Sequence, residues 1–121
     1  MSRTLAQERS AFALVEVSQI RSETKKEFLS LVQGLPAMIL QNGFGQALSF
    51  LLAKNNQQHR DAFRIIARWL EKRGILTTTE NVQVMNSISN FDQQLYLQSQ
   101  RETLALLEWV KRYAKAFFEG E

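Results

Sequence analysis

The chain has 121 residues, 45% of them hydrophobic, which is enough to fill the core of one domain spanning residues 1–121. It contains no cysteine, which excludes disulfides, zinc–thiolate sites, iron–sulfur centres and a thiol nucleophile. One proline and five glycines favour long helices over the many turns of an all-β chain, and a formal net charge of +3 indicates no partner class by itself.

The first predicted helical region covers residues 3–33, in which the polar run at residues 21–27 predicts an exposed middle section. Gly34 is predicted to end this helix. Pro36 is predicted in the first turn of the next helix, where its missing N–H would have no partner anyway. Residues 35–54 are the most apolar stretch, and the Asn42–Gly43 turn signal predicts a break at residues 42–45. The glycines would alternatively let another backbone approach closely.

Residues 55–58 predict a loop, residues 59–73 a third helix, and Gly74 its C-terminal stop. Three hydroxyl residues lie three positions before an acid, the spacing of a helix start: Thr77 with Glu80, Ser89 with Asp92, and Ser99 with Glu102. The third pair opens a long amphipathic segment that Gly120 would end, and residues 89–118 form either one helix or two. We therefore expect an all-α, compact single-domain bundle of about five to six helices.

Enzyme chemistry has few candidate residues. His59, the only histidine, is predicted to be a solvent-exposed residue at a helix start, without a partner for metal binding. Asp61 and Glu71 would lie about 15 Å apart along one helix, too far to share a glycosidic centre. Residues 42–45 lack the spacing and the preceding strand of a phosphate loop. We expect no enzymatic activity, cofactor or metal site.

A membrane-bound or exported protein is also not expected. No apolar stretch approaches the roughly 18 residues that span a bilayer. The first residues contain no signal-peptide core. These features predict a soluble, cytoplasmic protein.

The positive charge is concentrated in residues 54–73, where six Lys and Arg residues face two Asp and Glu residues, a net charge of +4. Four of these cations recur every four residues and would form a ridge roughly 18 Å long on one helix face. We call this set the basic ridge: Arg60, Arg64, Arg68 and Lys72. The opposite arc would face the core with Ala62, Phe63, Ile65, Ile66, Trp69 and Leu70. The ridge is either a phosphate-binding surface or a solvated face, on which Asp61 would pair with Arg64 and Arg68 with Glu71.

The last predicted helix carries a second basic candidate, partly offset by two acids, Glu108 and Glu119. Its cations are Lys111, Arg112 and Lys115. Helical spacing favours core or interface positions, rather than base-stacking platforms, for its aromatic residues Trp109, Tyr113, Phe117 and Phe118.

Two segments carry a family resemblance. Residues 35–51 read LPAMILQNGFGQALSFL and residues 107–114 read LEWVKRYA. They resemble the "LPxxIxxNGLxQxLxF" and "WLKRYA" stretches of the Cmr small subunit, the small helical subunit of type III-B CRISPR effector complexes. Order, separation and chain length agree, with Phe44 where leucine is common. Neither motif is catalytic, and we interpret their residues Pro36, Asn42, Gly43 and Trp109 as structural.

The resemblance implies a compact all-α subunit without enzymatic activity. It would pack beside the backbone subunits that hold the guide RNA and beside neighbouring copies of itself. Its basic surface would run along the target RNA strand paired with the guide. On this view the four ridge residues and Lys111, Arg112 and Lys115 are candidates for contact with the RNA backbone.

Two other function classes stay open at this point. One is a helical protein–protein adaptor without direct nucleic-acid contact, in which the ridge is only solvated. The other is a helix-turn-helix DNA binder, which ranks third because residues 60–73 contain no Asn or Gln to read bases.

Overall fold

The computed structural model describes residues 2–119. Within that range it contains six α-helices, one 3-10 turn and no strand, which confirms the all-α class and the predicted helix number. No helix in this range is long and apolar enough to cross a membrane. The elements are α1 (Leu5–Ser18), the 3-10 turn (Ser22–Thr24), α2 (Lys25–Asn42), α3 (Phe44–Lys54), α4 (Gln57–Lys72), α5 (Asn81–Ser89) and α6 (Gln93–Phe118).

The 26-residue α6 is the axis of the bundle, and α1, α2 and α4 all pack against it. Helix α4 also packs on α2 and α3, and α5 packs on α3. Every helix contributes to one buried apolar cluster between these elements. Its largest fully buried side chains include Phe28, Leu35, Phe44, Trp69 and Leu106.

The polar run at residues 21–27 is a corner rather than the exposed middle of one helix. Helix α1 ends at Ser18, the 3-10 turn follows, and α2 begins at Lys25. The chain therefore reverses before the next apolar segment packs against α6.

The predictions for Gly34 and Pro36 are wrong, because both residues lie inside α2. The buried face of α2 runs uninterrupted past them through Val32, Leu35 and Ile39, all at most 1% exposed. A Cβ on Gly34 would meet nothing within 4 Å, so this glycine lies on an open face. Packing thus outweighs the helix cost of the two residues, about 1 kcal/mol for glycine and about 3 kcal/mol for proline.

The predicted break at residues 42–45 is confirmed. Helix α2 ends at Asn42, Gly43 adopts φ 93°, and α3 begins at Phe44. The alternative role, close approach of another backbone, is wrong: the nearest group to both glycines is a side chain, the Tyr96 hydroxyl, which accepts from the Gly45 backbone N–H at 2.8 Å. A Cβ on Gly45 would lie 3.4 Å from that oxygen. The α2–α3 corner therefore contacts the start of α6 through Tyr96.

The loop before α4 is shorter than predicted, because α4 begins at Gln57 and only residues 55–56 lie outside helices. Asn55 makes the turn with a left-handed φ of 55°. Gly74 follows α4 with φ 77°, which confirms it as the C-terminal stop.

The three predicted hydroxyl starts are wrong: in two of them the acid caps the helix instead of the hydroxyl, and at the third no helix begins. Glu80 caps α5 by accepting the backbone N–H groups of Val82 and Gln83, and Asp92 caps α6 by accepting that of Leu95. Ser99 lies within α6 and donates to the Leu95 carbonyl at 2.7 Å.

One continuous helix therefore covers residues 93–118, which settles the question of one helix or two. Gly120, the predicted end of that helix, lies outside the described residues.

Candidate nucleic-acid interface

Helix α4 separates the basic ridge from the core as its periodicity predicts. The six residues of the opposite arc are all at most 3% exposed. On the ridge side Arg60, Arg68 and Lys72 are exposed and Arg64 is half-buried. The four cations therefore share the solvent face of a helix whose other face is fixed by burial.

Two ridge residues are paired with buried carboxylates. Arg64 Nη1 lies 2.6 Å from Asp61 Oδ1, which confirms that predicted pair. Arg68 pairs with Glu16 of α1 at 3.5 Å instead of with Glu71. Asp61 and Glu16 are only 3% and 2% exposed, so both carboxylates lie beneath the ridge.

The other two ridge residues have no acidic partner among residues 2–119. Arg60 donates to the carbonyl of Asn55 and to the side-chain oxygen of Gln57 at 3.1 Å, both neutral groups. Lys72 lies at the edge of a groove between α1 and α4. The uncompensated charge of the ridge is therefore at its two ends.

The second basic set lies on α6, next to Gln33 of α2. Lys111 pairs with Glu108 at 3.4 Å and Lys115 with Glu119 at 3.9 Å, the offset that the sequence predicts. Arg112 is exposed. Because these pairs are exposed, solvent screens them and each contributes little to stability.

The aromatic residues of α6 divide between core and surface. Phe118 is 4% exposed and packs edge-on against Phe28, which confirms a core position. Phe117 is 45% exposed, and its ring stacks parallel to Tyr113 at 5.8 Å. Trp109 continues this row at 5.9 Å from Tyr113. The row is a partly exposed aromatic strip beside α1.

Glu102 was misassigned by sequence reasoning as part of a helix start. It is 7% exposed and joins three helices. Its carboxylate accepts from Arg9 at 3.0 Å and from the Trp69 indole N–H at 2.9 Å, and lies 3.7 Å from Arg73. Its position in the sequence could have predicted this burial, because Glu102 lies in the apolar stripe of α6, one turn before Leu106 and two turns before Val110.

The environment of Glu102 favours its charged form. Burial alone raises the pKa of the carboxyl, but the hydrogen bonds from Arg9 and Trp69 and the charges of Arg9 and Arg73 outweigh it. The pKa is therefore lowered from its ordinary value of 4.5.

The prediction that His59 is solvent-exposed is wrong: it is 8% exposed. Because α4 begins before it, its ring faces α3 and packs edge-on against Phe50 at 5.6 Å. Burial, and secondarily the charge of Lys54, lowers its pKa from the ordinary 6.5. Within residues 2–119 no group of three His, Asp or Glu side chains could hold a metal ion.

The family comparison agrees with the sequence resemblance. The family model described as "CRISPR-associated protein (Cas_Cmr5)" matches residues 5–117. A protein from Thermus thermophilus named "CRISPR system Cmr subunit Cmr5" is 28% identical over 99 residues, 82% of each chain. A protein of the same name from Thermotoga maritima is 27% identical over 121 residues, covering 98% of this chain and 88% of the relative.

A solved structure extends this similarity to the fold. The X-ray crystal structure of a CRISPR-associated Cmr5 family protein from Thermus thermophilus superposes with a TM-score of 0.81 at 26% identity. The match covers 98% of this chain and 100% of the other. Sequence, length and helix arrangement therefore agree, and the chain belongs to the Cmr5 family of CRISPR-associated proteins.

Proposed function

We propose that this protein is a non-catalytic subunit of a type III-B Cmr CRISPR effector complex and stabilises the pairing of guide RNA with target RNA. Its relatives are named as subunits of the CRISPR Cmr system. The observation that carries the RNA role is the exposed basic ridge on α4 of a chain from that family. Base pairing reads the sequence, and the protein contacts phosphates.

The chemistry of the ridge suits phosphate contact. Guanidinium groups donate in a planar fork that matches phosphate oxygens, and Lys72 adds a flexible point charge. Such contacts release counterions, so RNA binding weakens as salt is added. Each contact contributes about 0.7 to 0.9 to the slope of log Kd against log salt concentration. Lys111, Arg112 and Lys115 provide a second surface of the same sign. The remaining partners would be the backbone subunits and neighbouring copies of this chain, in the cytoplasm.

The adaptor role is the alternative, and the aromatic strip of α6 favours it. Phe117 is 45% exposed at the end of that strip, and aromatic side chains are typical anchors of protein interfaces. In this role Phe117→Ala would weaken assembly of the complex, and neutralising the ridge would leave RNA binding unchanged.

The test uses the reconstituted complex and labelled target RNA. Arg60→Gln with Lys72→Gln removes the two ridge charges that have no acidic partner, so both buried ion pairs stay intact. We expect the variant complex to assemble and to bind target RNA several-fold more weakly at low salt. Arg21→Gln with Lys26→Gln is the matched control, because it removes two exposed charges outside both basic sets.

Equal affinities of the ridge variant, the control variant and the wild type would contradict the RNA role of the ridge. Loss of assembly on Phe117→Ala alone, with RNA affinity independent of the ridge, would favour the adaptor.

A further inference from the structure

The ion pair between Arg68 and Glu16 differs from the other pair beneath the ridge. Arg68 Nη1 lies 3.5 Å from Glu16 Oε2, a distance at the limit of a hydrogen bond, whereas Arg64 lies 2.6 Å from Asp61. Asp61 also accepts from the Gln57 amide at 3.0 Å. Glu16 Oε1 is buried and accepts no hydrogen bond from residues 2–119. Glu16 is therefore the less satisfied of the two carboxylates.

The two side chains of this ion pair also differ in their exposure to solvent. The Arg68 side chain is 47% exposed and the Glu16 side chain 2%. Glu16 lines the groove between α1 and α4, together with Phe12, Val15 and Lys72. The guanidinium can rotate towards solvent, while the carboxylate is fixed by packing.

A phosphate at the ridge would compete with Glu16 for the same guanidinium. Removing the partner of a buried carboxylate leaves an uncompensated charge, which opposes the exchange. The released Arg68 would gain a charge-assisted contact to phosphate in return. The net affinity gain from Arg68 is thus smaller than that from a free arginine.

We propose that Glu16 is a built-in competitor that lowers the affinity of the basic ridge for RNA phosphates. This inference rests on the proposed function of the ridge. In the free chain Arg68 stays on Glu16 and Lys72 contributes more to RNA binding. In the wild type Arg68 stays on Glu16 while the other ridge residues hold the strand, and removal of the Glu16 charge frees Arg68 for one further phosphate contact.

The test measures binding of a labelled single-stranded oligouridylate to the full chain by fluorescence anisotropy over a range of salt concentrations. Glu16→Gln should bind about three- to tenfold more tightly than the wild type. Its salt dependence should steepen by about 0.7, the value of one added phosphate contact on a single strand.

The matched control is Glu71→Gln, which removes the same charge from an exposed residue lining the same groove. Its effect should be smaller, because Glu71 forms no ion pair with Arg68. The double variant Glu16→Gln with Arg68→Gln should lose the gain of Glu16→Gln. Circular dichroism checks that each variant is folded.

A second measurement does not depend on the stability of the Glu16 variant. In the otherwise unchanged chain, Arg68→Gln should weaken binding less than Lys72→Gln. Three results would each overturn the proposal that Glu16 competes with RNA for Arg68. The first is an equal effect of Glu16→Gln and Glu71→Gln, and the second is a gain in affinity that persists in the double variant. The third is a larger loss of affinity for Arg68→Gln than for Lys72→Gln. The proposed function fails separately, if Arg60→Gln with Lys72→Gln leaves RNA binding by the complex unchanged.

Discussion

Replacing Glu102 with alanine should destabilise the fold by about 3 kcal/mol. The substitution leaves the buried Trp69 indole N–H without its acceptor at 2.9 Å, which costs about 1 to 3 kcal/mol. It also removes the 3.0 Å hydrogen bond from Arg9, whose side chain is 18% exposed, at a further cost of about 1.5 to 3 kcal/mol. Arg73 adds little, because it is 3.7 Å away and 34% exposed. The expected total lies near the low end of these two costs combined, because the Arg9 guanidinium becomes hydrated when Glu102 is removed.

Urea denaturation followed by circular dichroism measures this effect. Glu102→Gln should cost about 1 kcal/mol, because the amide oxygen still accepts one hydrogen bond while the charge is lost. Glu108→Ala is the control, since it removes an exposed α6 carboxylate whose ion pair within residues 2–119 is with Lys111, and it should cost below about 0.5 kcal/mol. A loss for Glu102→Ala no greater than for Glu108→Ala would refute the three-helix role of Glu102.

The pH dependence of the free energy of unfolding gives a second measure of the role of Glu102. Because the folded pKa of Glu102 is lowered, its charged form stabilises the protein above the ordinary pKa of 4.5. That contribution is lost as the pH falls through the folded pKa. The stability difference between wild type and Glu102→Gln should therefore shrink below about pH 4.5. A constant difference would contradict the pKa direction.

Three further predictions concern the packing of the bundle. Because the pKa of folded His59 is lowered, its neutral form stabilises the fold above pH 6.5, and this contribution is lost on acidification. Lowering the pH below 6.5 should therefore reduce the urea midpoint of the wild type more than that of His59→Phe. Gly43→Ala should cost about 1 to 3 kcal/mol at φ 93°, whereas Gly34→Ala in α2 should stabilise by about 0.5 to 1 kcal/mol. Thermal melts that rank the two variants in the opposite order would contradict the role of Gly43 at the α2–α3 corner. Tyr96→Phe should cost about 1 kcal/mol in the same melts, because the Gly45 N–H loses its acceptor; an unchanged melting temperature would show that water replaces the hydroxyl.

Local signals were sufficient where a single backbone conformation decides the structure. Gly43 and Gly74 both adopt positive φ at helix ends, as their positions in the sequence predict. The buried arc of α4 and the Asp61–Arg64 pair follow from helical spacing within one element. These features depend on residues close in sequence, so no tertiary information was needed.

Long-range packing decided the features that the sequence left unpredicted. Pro36 stays inside α2 because residues before and after it share one buried face. Arg68 pairs with Glu16 because α1 lies beside α4, a neighbour that no local spacing reveals. Glu102 resembled a capping acid from its distance to Ser99, while its partners Arg9 and Trp69 come from other helices.

The same contacts change how the charge of the sequence is interpreted. The segment at residues 54–73 has a net charge of +4, but the structure places Arg68 against an acid from outside this segment, Glu16. Two ridge cations are held by buried carboxylates, and Arg60 and Lys72 remain without acidic partners among residues 2–119. RNA affinity should therefore depend more on the two ends of the ridge than on its centre.

The salt dependence of target-RNA binding by the assembled complex tests the RNA role most directly. A plot of log Kd against log salt concentration should be less steep for Arg60→Gln with Lys72→Gln than for the wild type. The expected difference is about 1.4 to 1.8, the value of two phosphate contacts. An assembled variant complex with the wild-type slope would contradict the assignment of phosphate contacts to the basic ridge.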